Sequence, residues 1–313
     1  MNDVLIIGAG SISKDYVSVL DDLNIDFTVV GRSDLNAINF KKDTGVDVIS
    51  GGIEKYLSDN EVRFSHAIVA VGIEKLFEVT KLLIINNIKN ILVEKPGSIC
   101  LEHLKELDAL AKKHSSNVII GYNRRFYSST IATQNIIIED GGVKSFNFEF
   151  TEWSHLIKGL DKPKGVLDSW FLGNSSHVVD LAFYLGGAPK DISCYTSGSL
   201  TWHESASIFC GAGVSETGAL FSYQANWGAP GRWSVEILTN QHRLILRPME
   251  KLQLQNIGSI DTEFVDIEDE IDKDFKPGIH RQVCNFLDNE LVNFCDLCEQ
   301  IQNFQTYKKI ANY

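Results

Sequence analysis

The segment Val4-Leu5-Ile6-Ile7-Gly8-Ala9-Gly10-Ser11-Ile12-Ser13 decides the fold of the N-terminal part of the chain. Its apolar start predicts a buried strand, and its glycines predict a tight turn into a helix. In a dinucleotide site the first glycine permits the turn and the second lets the backbone approach a pyrophosphate. The helix N-terminus then offers N–H groups to that anion. We therefore expect cofactor contacts at Gly8, Gly10, Ser11 and Ile12, with Ser13 in place of the third glycine of the pattern.

Strands and helices alternate after this loop. The predicted strands are Phe27–Val30, Ala67–Val71, Asn90–Val93 and Asn117–Ile120, and the predicted helices are Lys14–Leu23, Lys75–Asn86 and Leu101–His114. Such alternation predicts a parallel sheet with helices on both faces, and the strands are rich in Val, Ile and Leu because both of their faces are buried. Residues 1–122 are therefore predicted to form a doubly wound α/β domain of the Rossmann type.

The pattern changes after Tyr122, and residues 123–313 are predicted to form a second, α+β domain. Alternating apolar and polar residues with few helices between them indicate an open, mostly antiparallel sheet for substrate binding and oligomerisation. The candidate strands are 145–152, 192–197, 205–210, 218–225, 234–239 and 243–246, and the candidate helices are 176–185, 278–290 and 295–311. The stretch Asp261–Asp274 holds eight acidic residues and one lysine, which predicts a solvated connection.

Composition limits the possible partners. The 313 residues are 44% hydrophobic and 22% charged, with a formal net charge of −12, which favours a globular protein and argues against nucleic acid as a partner. No basic region precedes the first apolar run, and the apolar runs are the length of strands, so we expect neither a signal peptide nor a membrane span. The six scattered cysteines indicate reduced thiols in a cytoplasmic protein. The Cys295-x-x-Cys298 pair has no second pair or nearby histidine, so no metal site is expected.

The second strand continues into Gly31-Arg32-Ser33. Enzymes that bind NAD usually carry Asp or Glu at this position for the ribose diol, whereas an arginine beside a small hydroxyl residue suits a 2′-phosphate. We therefore expect NADP(H) to be favoured over NAD(H), with Gly31, Arg32 and Ser33 as contacts. An ordinary surface arginine is the alternative.

Two later segments, Val93-Glu94-Lys95-Pro96-Gly97 and Gly121-Tyr122-Asn123-Arg124-Arg125-Phe126, extend this picture. Together with the glycine loop they resemble the glucose–fructose oxidoreductase and inositol dehydrogenase family (Gfo/Idh/MocA). The resemblance implies that Lys95 lies beside the nicotinamide and the reacting carbon, where an ammonium stabilises a developing alkoxide. Because ligands bind at the carboxyl edge of such sheets, we also expect Val71 and Glu94 to contact the cofactor.

The family's second catalytic segment reads Asp, three residues, His, two residues, Asp, and it matches the chain from Gly173 to Asp180. The match implies that His177 transfers the proton of a substrate hydroxyl or ketone, although a capping or core histidine is the alternative. Gly173 replaces the first aspartate of the motif, and the neighbouring Asn174 can bind a hydroxyl but cannot accept a proton. Asp180 could orient the ring of His177 or serve the helix itself.

Substrate contacts are expected at Tyr122, Arg124, Asn174 and His177. A guanidinium after the sixth strand could bind a carboxylate or phosphate, or it could form a salt bridge between domains. Two loops, Trp153–Trp170 and Trp227–Trp233, could cover the site, although tryptophans are more often core residues.

The resemblance implies hydride transfer between NADP(H) and a hydroxyl or ketone of a carbohydrate. The candidate substrates are a surface-polysaccharide sugar, a sugar nucleotide and an acidic sugar. A homodimer or homotetramer is implied as well. The alternatives are a regulator or scaffold that binds NADP(H) without turnover, favoured by the missing aspartate, and a reductase of a non-sugar imine or carbonyl.

Overall fold

The computed structural model describes residues 3–61 and 63–313, which divide into two compact units. The first unit contains the chain up to Asn123 together with Asp274–Gln302. The second contains Arg124–Lys273 and Asn303–Tyr313. Compactness thus groups a late segment with the N-terminal residues, whereas the domain limits 1–122 and 123–313 remain a prediction from sequence.

The first unit is built on a seven-stranded sheet. With strands numbered along the whole chain, its members are β1 (Val4–Ile7), β2 (Phe27–Val30), β3 (Val48–Ile49), β4 (His66–Val69), β5 (Asn90–Glu94), β6 (Asn117–Gly121) and β15 (Cys295–Asp296). The order β3-β2-β1-β4-β5-β6 is parallel throughout and is the order of a Rossmann domain. β15 adds an antiparallel edge beside β6. The predicted doubly wound sheet is confirmed.

Helices cover this sheet. They are α1 (Ser11–Asp22), α2 (Asp34–Thr44), α3 (Ile53–Asp59), α4 (Leu76–Ile85), α5 (Leu101–His114), α10 (Ile279–Leu287) and the start of α11 (Leu297–Ala311). Every residue of β1 is buried, as expected for a strand with both faces covered. α10 buries Ile279, Val283 and Phe286 at helical spacing and packs against α1, which explains why this late segment belongs to the first unit.

The second unit is built on an eight-stranded open sheet. Its strands are β7 (Ser145–Glu149), β8 (Pro189–Ser197), β9 (Ile208–Ser215), β10 (Leu220–Asn226), β11 (Ser234–Leu238), β12 (His242–Leu246), β13 (Gln253–Asn256) and β14 (Glu263–Phe264). The order is β14-β13-β12-β11-β7-β10-β9-β8, and every neighbouring pair is antiparallel except β7 with β10. The mostly antiparallel sheet predicted from sequence is confirmed.

One face of this sheet forms the core of the second unit. The helices of the unit are α6 (Ser128–Glu139), α7 (Ser154–Ile157), α8 (Ser176–Gly186) and α9 (Glu270–Asp274), followed by the end of α11. α8 packs on β7, where Phe183 meets Phe146 and Phe221 in edge-on contacts with centroids 6.1 and 5.2 Å apart. Residues alternate between buried and exposed along β10, so the opposite face is open.

Two segments differ from the sequence expectations. The acidic stretch contains β14 and the short helix α9 rather than connection alone. The last helix begins at Leu297, because Cys295 and Asp296 pair with β6 as an edge strand. In the ranges 3–61 and 63–313, no helix is both long enough and apolar enough to span a membrane.

Candidate functional site

The glycine loop between β1 and α1 is fixed by a close approach of three strand ends. Gly8 has φ +120°, and its N–H donates to Val30 O at 2.9 Å, at the end of β2. A Cβ on Gly8 would lie 2.2 Å from Ala70 O, just after β4. Any side chain at position 8 would therefore collide with backbone, which accounts for the glycine.

Gly10 plays a different part. It is the N-cap residue of α1 and offers no side-chain cap to the helix, and the first turn carries no acidic residue. A Cβ built on Gly10 would meet no protein atom within 4 Å. The glycine therefore leaves open space in front of the first N–H groups of α1, at Ser11 and Ile12, where an anion is favoured. Ser13 is fully buried, so its small side chain permits the close packing that the third glycine of the pattern usually provides.

A cavity of about 580 Å³ lies at this loop. Five of the predicted cofactor contacts line it: Gly8, Gly10, Gly31, Arg32 and Val71. The size is within the range of small-molecule and cofactor sites. Open space at Gly10, uncapped helical N–H groups and this volume together fit a dinucleotide. These lining residues and the start of α1 would hold its pyrophosphate and adenosine portion.

Charges around the cavity are mixed. Arg32 is exposed and forms no ion pair with any residue that the structure describes. Ser33 is the N-cap of α2, and its Oγ accepts from Asn36 N at 3.2 Å. Glu54 and Glu74 also line the cavity, at the starts of the segments after β3 and β4. A free guanidinium at the end of β2 is the feature that suits a phosphate on the ribose.

The turn that bears Lys95 follows β5. The Lys95–Pro96 bond is cis, Gly97 has φ +76°, and the N–H of Gly97 donates to Glu94 O at 3.0 Å. Gln300 Nε2 donates to Pro96 O at 2.9 Å, so a residue of α11 holds the turn from the other side. Lys95 is half-buried at the carboxyl edge of the sheet.

Glu94 and Tyr122 face the interior of the first unit. Tyr16 OH donates to Glu94 Oε1 at 2.8 Å, and burial raises the pKa of Glu94 while the nearby Lys95 opposes that rise. Tyr122 is 1% exposed, and its OH donates to Gln300 Oε1 at 3.3 Å. Gln300 thus joins the Lys95 turn to Tyr122, a role that its position in the sequence gave no sign of.

The segment before His177 has an unusual backbone. Phe171–Ser175 forms a π-helical turn that leads into α8, and such turns are frequent at functional sites. Phe171 N donates to Tyr313 OH at 3.2 Å, so the last residue of the chain supports the turn. Ser176 Oγ donates to Leu172 O at 2.7 Å. His177 is 8% exposed, in the first turn of α8.

A buried carboxylate holds this turn. Glu152, 1% exposed, accepts from Asn174 Nδ2 at 3.0 and 3.1 Å and from Ser175 Oγ at 2.7 Å. Burial raises the pKa of Glu152, while the bonds from these two residues and the charge of Arg232 oppose the rise. Sequence reasoning missed Glu152, which lies shortly after β7 and far from the histidine motif. The only signal was an acidic residue at the end of an alternating apolar strand.

Asp180 forms a buried ion pair with Arg125. Arg125 Nε donates to Asp180 Oδ2 at 2.9 Å, and the same guanidinium contacts Oδ1 at 2.6 Å, with both side chains buried. The guanidinium also lies 4.7 Å from the ring centroid of Tyr184. This bidentate pair links α8 to the segment after β6, so Asp180 stabilises the second unit.

Arg124 belongs to an alternating series of guanidinium groups and indole rings. Its Cζ lies 4.6 Å from the ring centroid of Trp233, and Arg232 lies 4.3 Å from the same ring. Arg232 also lies 4.5 Å from the ring centroid of Trp153. Arg124 Nε is buried and has no hydrogen-bond partner among the residues that the structure describes. Two cations thus share one aromatic ring, with Glu152 as the carboxylate 3.5 Å from Arg232.

The tryptophans of the two predicted aromatic loops differ in exposure. Trp227 is 1% exposed and stacks on Trp202 with centroids 5.6 Å apart, whereas Trp153 is 45% exposed. All six cysteines are free thiols, with Cys295 buried and Cys298 exposed.

Comparison with known proteins agrees with the sequence resemblance. Residues 3–122 match the model of the oxidoreductase family with an NAD-binding Rossmann fold, GFO_IDH_MocA. No curated protein matches the sequence.

Several solved structures share the fold over nearly the whole chain. A putative NADPH-dependent oxidoreductase from Desulfitobacterium hafniense has a TM-score of 0.81 and 17% identity, covering 99% of this chain and 94% of that one. The UDP-N-acetylglucosamine 3-dehydrogenase of Acidithiobacillus ferrooxidans has a TM-score of 0.75 and 13% identity, covering 98% and 96%. A levoglucosan dehydrogenase in complex with NADH has a TM-score of 0.77 and 15% identity, covering 99% and 96%.

Proposed function

Since its N-terminal domain belongs to the Gfo/Idh/MocA oxidoreductase family, we propose that the protein transfers a hydride between NADP(H) and a carbon that bears a hydroxyl or ketone in a carbohydrate. The observation that carries the proposal is the cavity at the glycine loop, where Gly10 leaves the start of α1 open to an anion. Two structural neighbours are named as dehydrogenases of sugar compounds, which supports the substrate class.

The choice of NADP(H) rests on Arg32. Its guanidinium lines the cavity and forms no ion pair with the described part of the chain, so it is available for a 2′-phosphate. Ser33 can add its hydroxyl, although that oxygen already caps α2. The neighbours do not decide the question, because the name of one includes NADPH and that of another includes NADH.

Lys95 and His177 are proposed as the catalytic pair. A bound nicotinamide would accept or supply the hydride. The ammonium of Lys95, held at the carboxyl edge by the turn that Gln300 supports, stabilises negative charge on the substrate oxygen. The imidazole of His177 accepts the hydroxyl proton in oxidation and returns it in reduction.

Three further side chains are proposed to bind the substrate. Nδ2 of Asn174 donates to Glu152, so Oδ1 is the atom that can accept a hydrogen bond from a substrate hydroxyl. Arg124 supplies a cation whose Nε has no described hydrogen-bond partner, and Tyr122 remains a proposed contact. Gly173 cannot replace the aspartate of the family motif. Glu152 accepts hydrogen bonds from the side chains of Asn174 and Ser175, which follow Gly173, and so holds the turn.

The open face of the eight-stranded sheet is proposed as the surface that joins identical chains. Tyr195, Ile208 and Leu220 lie on this face of neighbouring strands and are 70%, 42% and 65% exposed. Exposed apolar side chains on one open sheet face favour association. A homodimer or homotetramer is expected, and light scattering measures its mass.

The function is tested by a panel of sugars, sugar acids and sugar nucleotides, each mixed with oxidised or reduced cofactor and followed by nicotinamide absorbance. We expect turnover with at least one carbohydrate. Binding of NADPH without turnover on any member of the panel would instead support a regulator that senses the cofactor.

A further inference from the structure

A second cavity, of about 810 Å³, lies entirely within the second unit. It is formed where the two loops singled out in the sequence meet: Trp153 and Lys158 on one side, and Gly228–Gly231 on the other. Trp153 Nε1 donates to Gly231 O at 3.0 Å, which joins the loops. The volume falls within the range of sites that enclose small molecules.

The wall of this cavity is aromatic and well supported. Trp153 is exposed at 45%, while Trp202 and Trp227 lie behind it as a stacked pair. The indole N–H of Trp202 donates to Ser154 Oγ at 2.9 Å, and that of Trp227 donates to Phe150 O at 3.1 Å. Because each indole N–H already has an acceptor, the wall offers ring surface, which suits the apolar face of a sugar.

Basic side chains lie at the cavity although the whole chain carries a formal net charge of −12. Lys158 and His155 line it, and neither forms an ion pair in the part of the chain that the structure describes. Arg232, next to the lining residue Gly231, has its guanidinium near two indole rings, and its side chain is 45% exposed. Arg232 is paired with the buried Glu152, so Lys158 is the lining cation that has no ion pair in the described part of the chain, and it favours an anionic ligand.

Glu152 is the one carboxylate among the lining residues, and its oxygens already accept hydrogen bonds from the protein. It is 1% exposed, and its oxygens accept from Asn174 and Ser175. The same residue therefore lines the cavity and holds the turn before His177. A molecule in the cavity would contact the wall that fixes that turn.

We propose that this cavity binds the anionic part of the substrate, a phosphate or carboxylate attached to a sugar, with Lys158 and Arg232 as the charged contacts and Trp153 as the ring platform. The inference rests on the proposed function and narrows its substrate to charged carbohydrates. Arg124, whose guanidinium lies across Trp233 from Arg232, adds to the positive field.

The test is a binding titration without cofactor, read by calorimetry and by intrinsic tryptophan fluorescence. The probes are UDP-glucose, glucuronate and the neutral methyl glucoside, which separate diphosphate, carboxylate and uncharged sugar. We expect at least one charged probe to bind tenfold or more tighter than methyl glucoside. Lys158→Met should weaken that binding about tenfold, since a charge-assisted contact is lost. Lys164→Met, an exposed lysine of the same loop outside the cavity lining, is the matched control and should bind as the wild type does.

Salt provides a second readout. Raising the ionic strength should weaken binding of the charged probe to the wild type more than to Lys158→Met. Equal binding of charged and neutral probes, no binding of any probe, or equal affinities for the Lys158 and Lys164 variants would each overturn the proposal. Because no cofactor is present, these outcomes are independent of hydride transfer, whose failure would appear in the turnover panel with the binding result unchanged.

Discussion

The glycine loop of the first unit and the turn before His177 in the second are formed by different chemical groups. Backbone groups form the first: Gly8 brings strand ends together, and Gly10 leaves helical N–H groups open. Side chains from distant segments form the second, with Glu152 bound to Asn174 and Ser175. The residues that form a backbone site lie in one short segment of sequence, whereas a side-chain site depends on which distant segments the fold brings together.

The largest effect is expected at the side-chain site. Removing a positioned acid–base group lowers turnover by about 10²–10⁴-fold. His177→Ala should show such a loss in kcat with unchanged affinity for NADPH. Lys95→Ala should be comparably slow, because the charge that stabilises the substrate oxygen is lost.

His114→Ala is the control, because this histidine ends α5 in the first unit and does not line the cavity at the glycine loop. Its turnover should equal that of the wild type. A wild-type kcat in His177→Ala would show that this histidine takes no part in the proposed proton transfer.

A smaller effect is expected at the end of β2. Arg32→Ala should reduce the preference for NADPH over NADH by about ten- to a hundredfold, because a charge-assisted contact to phosphate contributes about 1.5–3 kcal/mol. Fluorescence titration of the two reduced cofactors measures it. Equal affinity of the wild type for both cofactors would contradict the proposed role of Arg32.

The sequence predicted the backbone loop well and the side-chain contacts of the two turns poorly. The loop from Gly8 to Ser13 carries its geometry locally, and five predicted contacts line one cavity. Glu152, Gln300 and Tyr313 were missed, because each supports its turn from a segment far away in sequence. Strands of two residues, such as β15, show too little alternation to be read from sequence.

The sequence also gave no sign that residues 274–302 pack with the N-terminal part of the chain. α10 was predicted as a closing helix, and its buried stripe at Ile279, Val283 and Phe286 gives no clue to its partner. Only the fold shows that the partner is α1. Periodicity predicts that a helix has a buried face and not what covers it.

The smallest effect is a dependence of stability on pH at Glu152. Burial raises the pKa of this carboxyl above its ordinary 4.5, so the folded protein holds the proton more tightly than the unfolded chain does. The resulting stability is fully present below about pH 4.5 and is lost as the pH rises through the raised value. Glu152→Gln is neutral at every pH, so its stability relative to the wild type should increase as the pH rises from 4.5.

Denaturant unfolding at several pH values measures this difference, with about 1.4 kcal/mol for each tenfold change in proton affinity. Glu152→Ala, which removes the acceptor for Asn174 and Ser175, should be destabilised throughout. A difference between Glu152→Gln and the wild type that stays constant with pH would show that this carboxyl is not perturbed by burial.

The central claim, that a nicotinamide dinucleotide is held by the backbone of the glycine loop, is tested most directly by titrating NADPH into Gly10→Ala. A methyl group at position 10 meets no protein atom within 4 Å, so the variant should unfold at the wild-type temperature. The same methyl occupies the space in front of α1 and should weaken NADPH binding at least tenfold, since contacts to a charged group are lost. Wild-type affinity for NADPH in a normally folded Gly10→Ala protein would contradict the account.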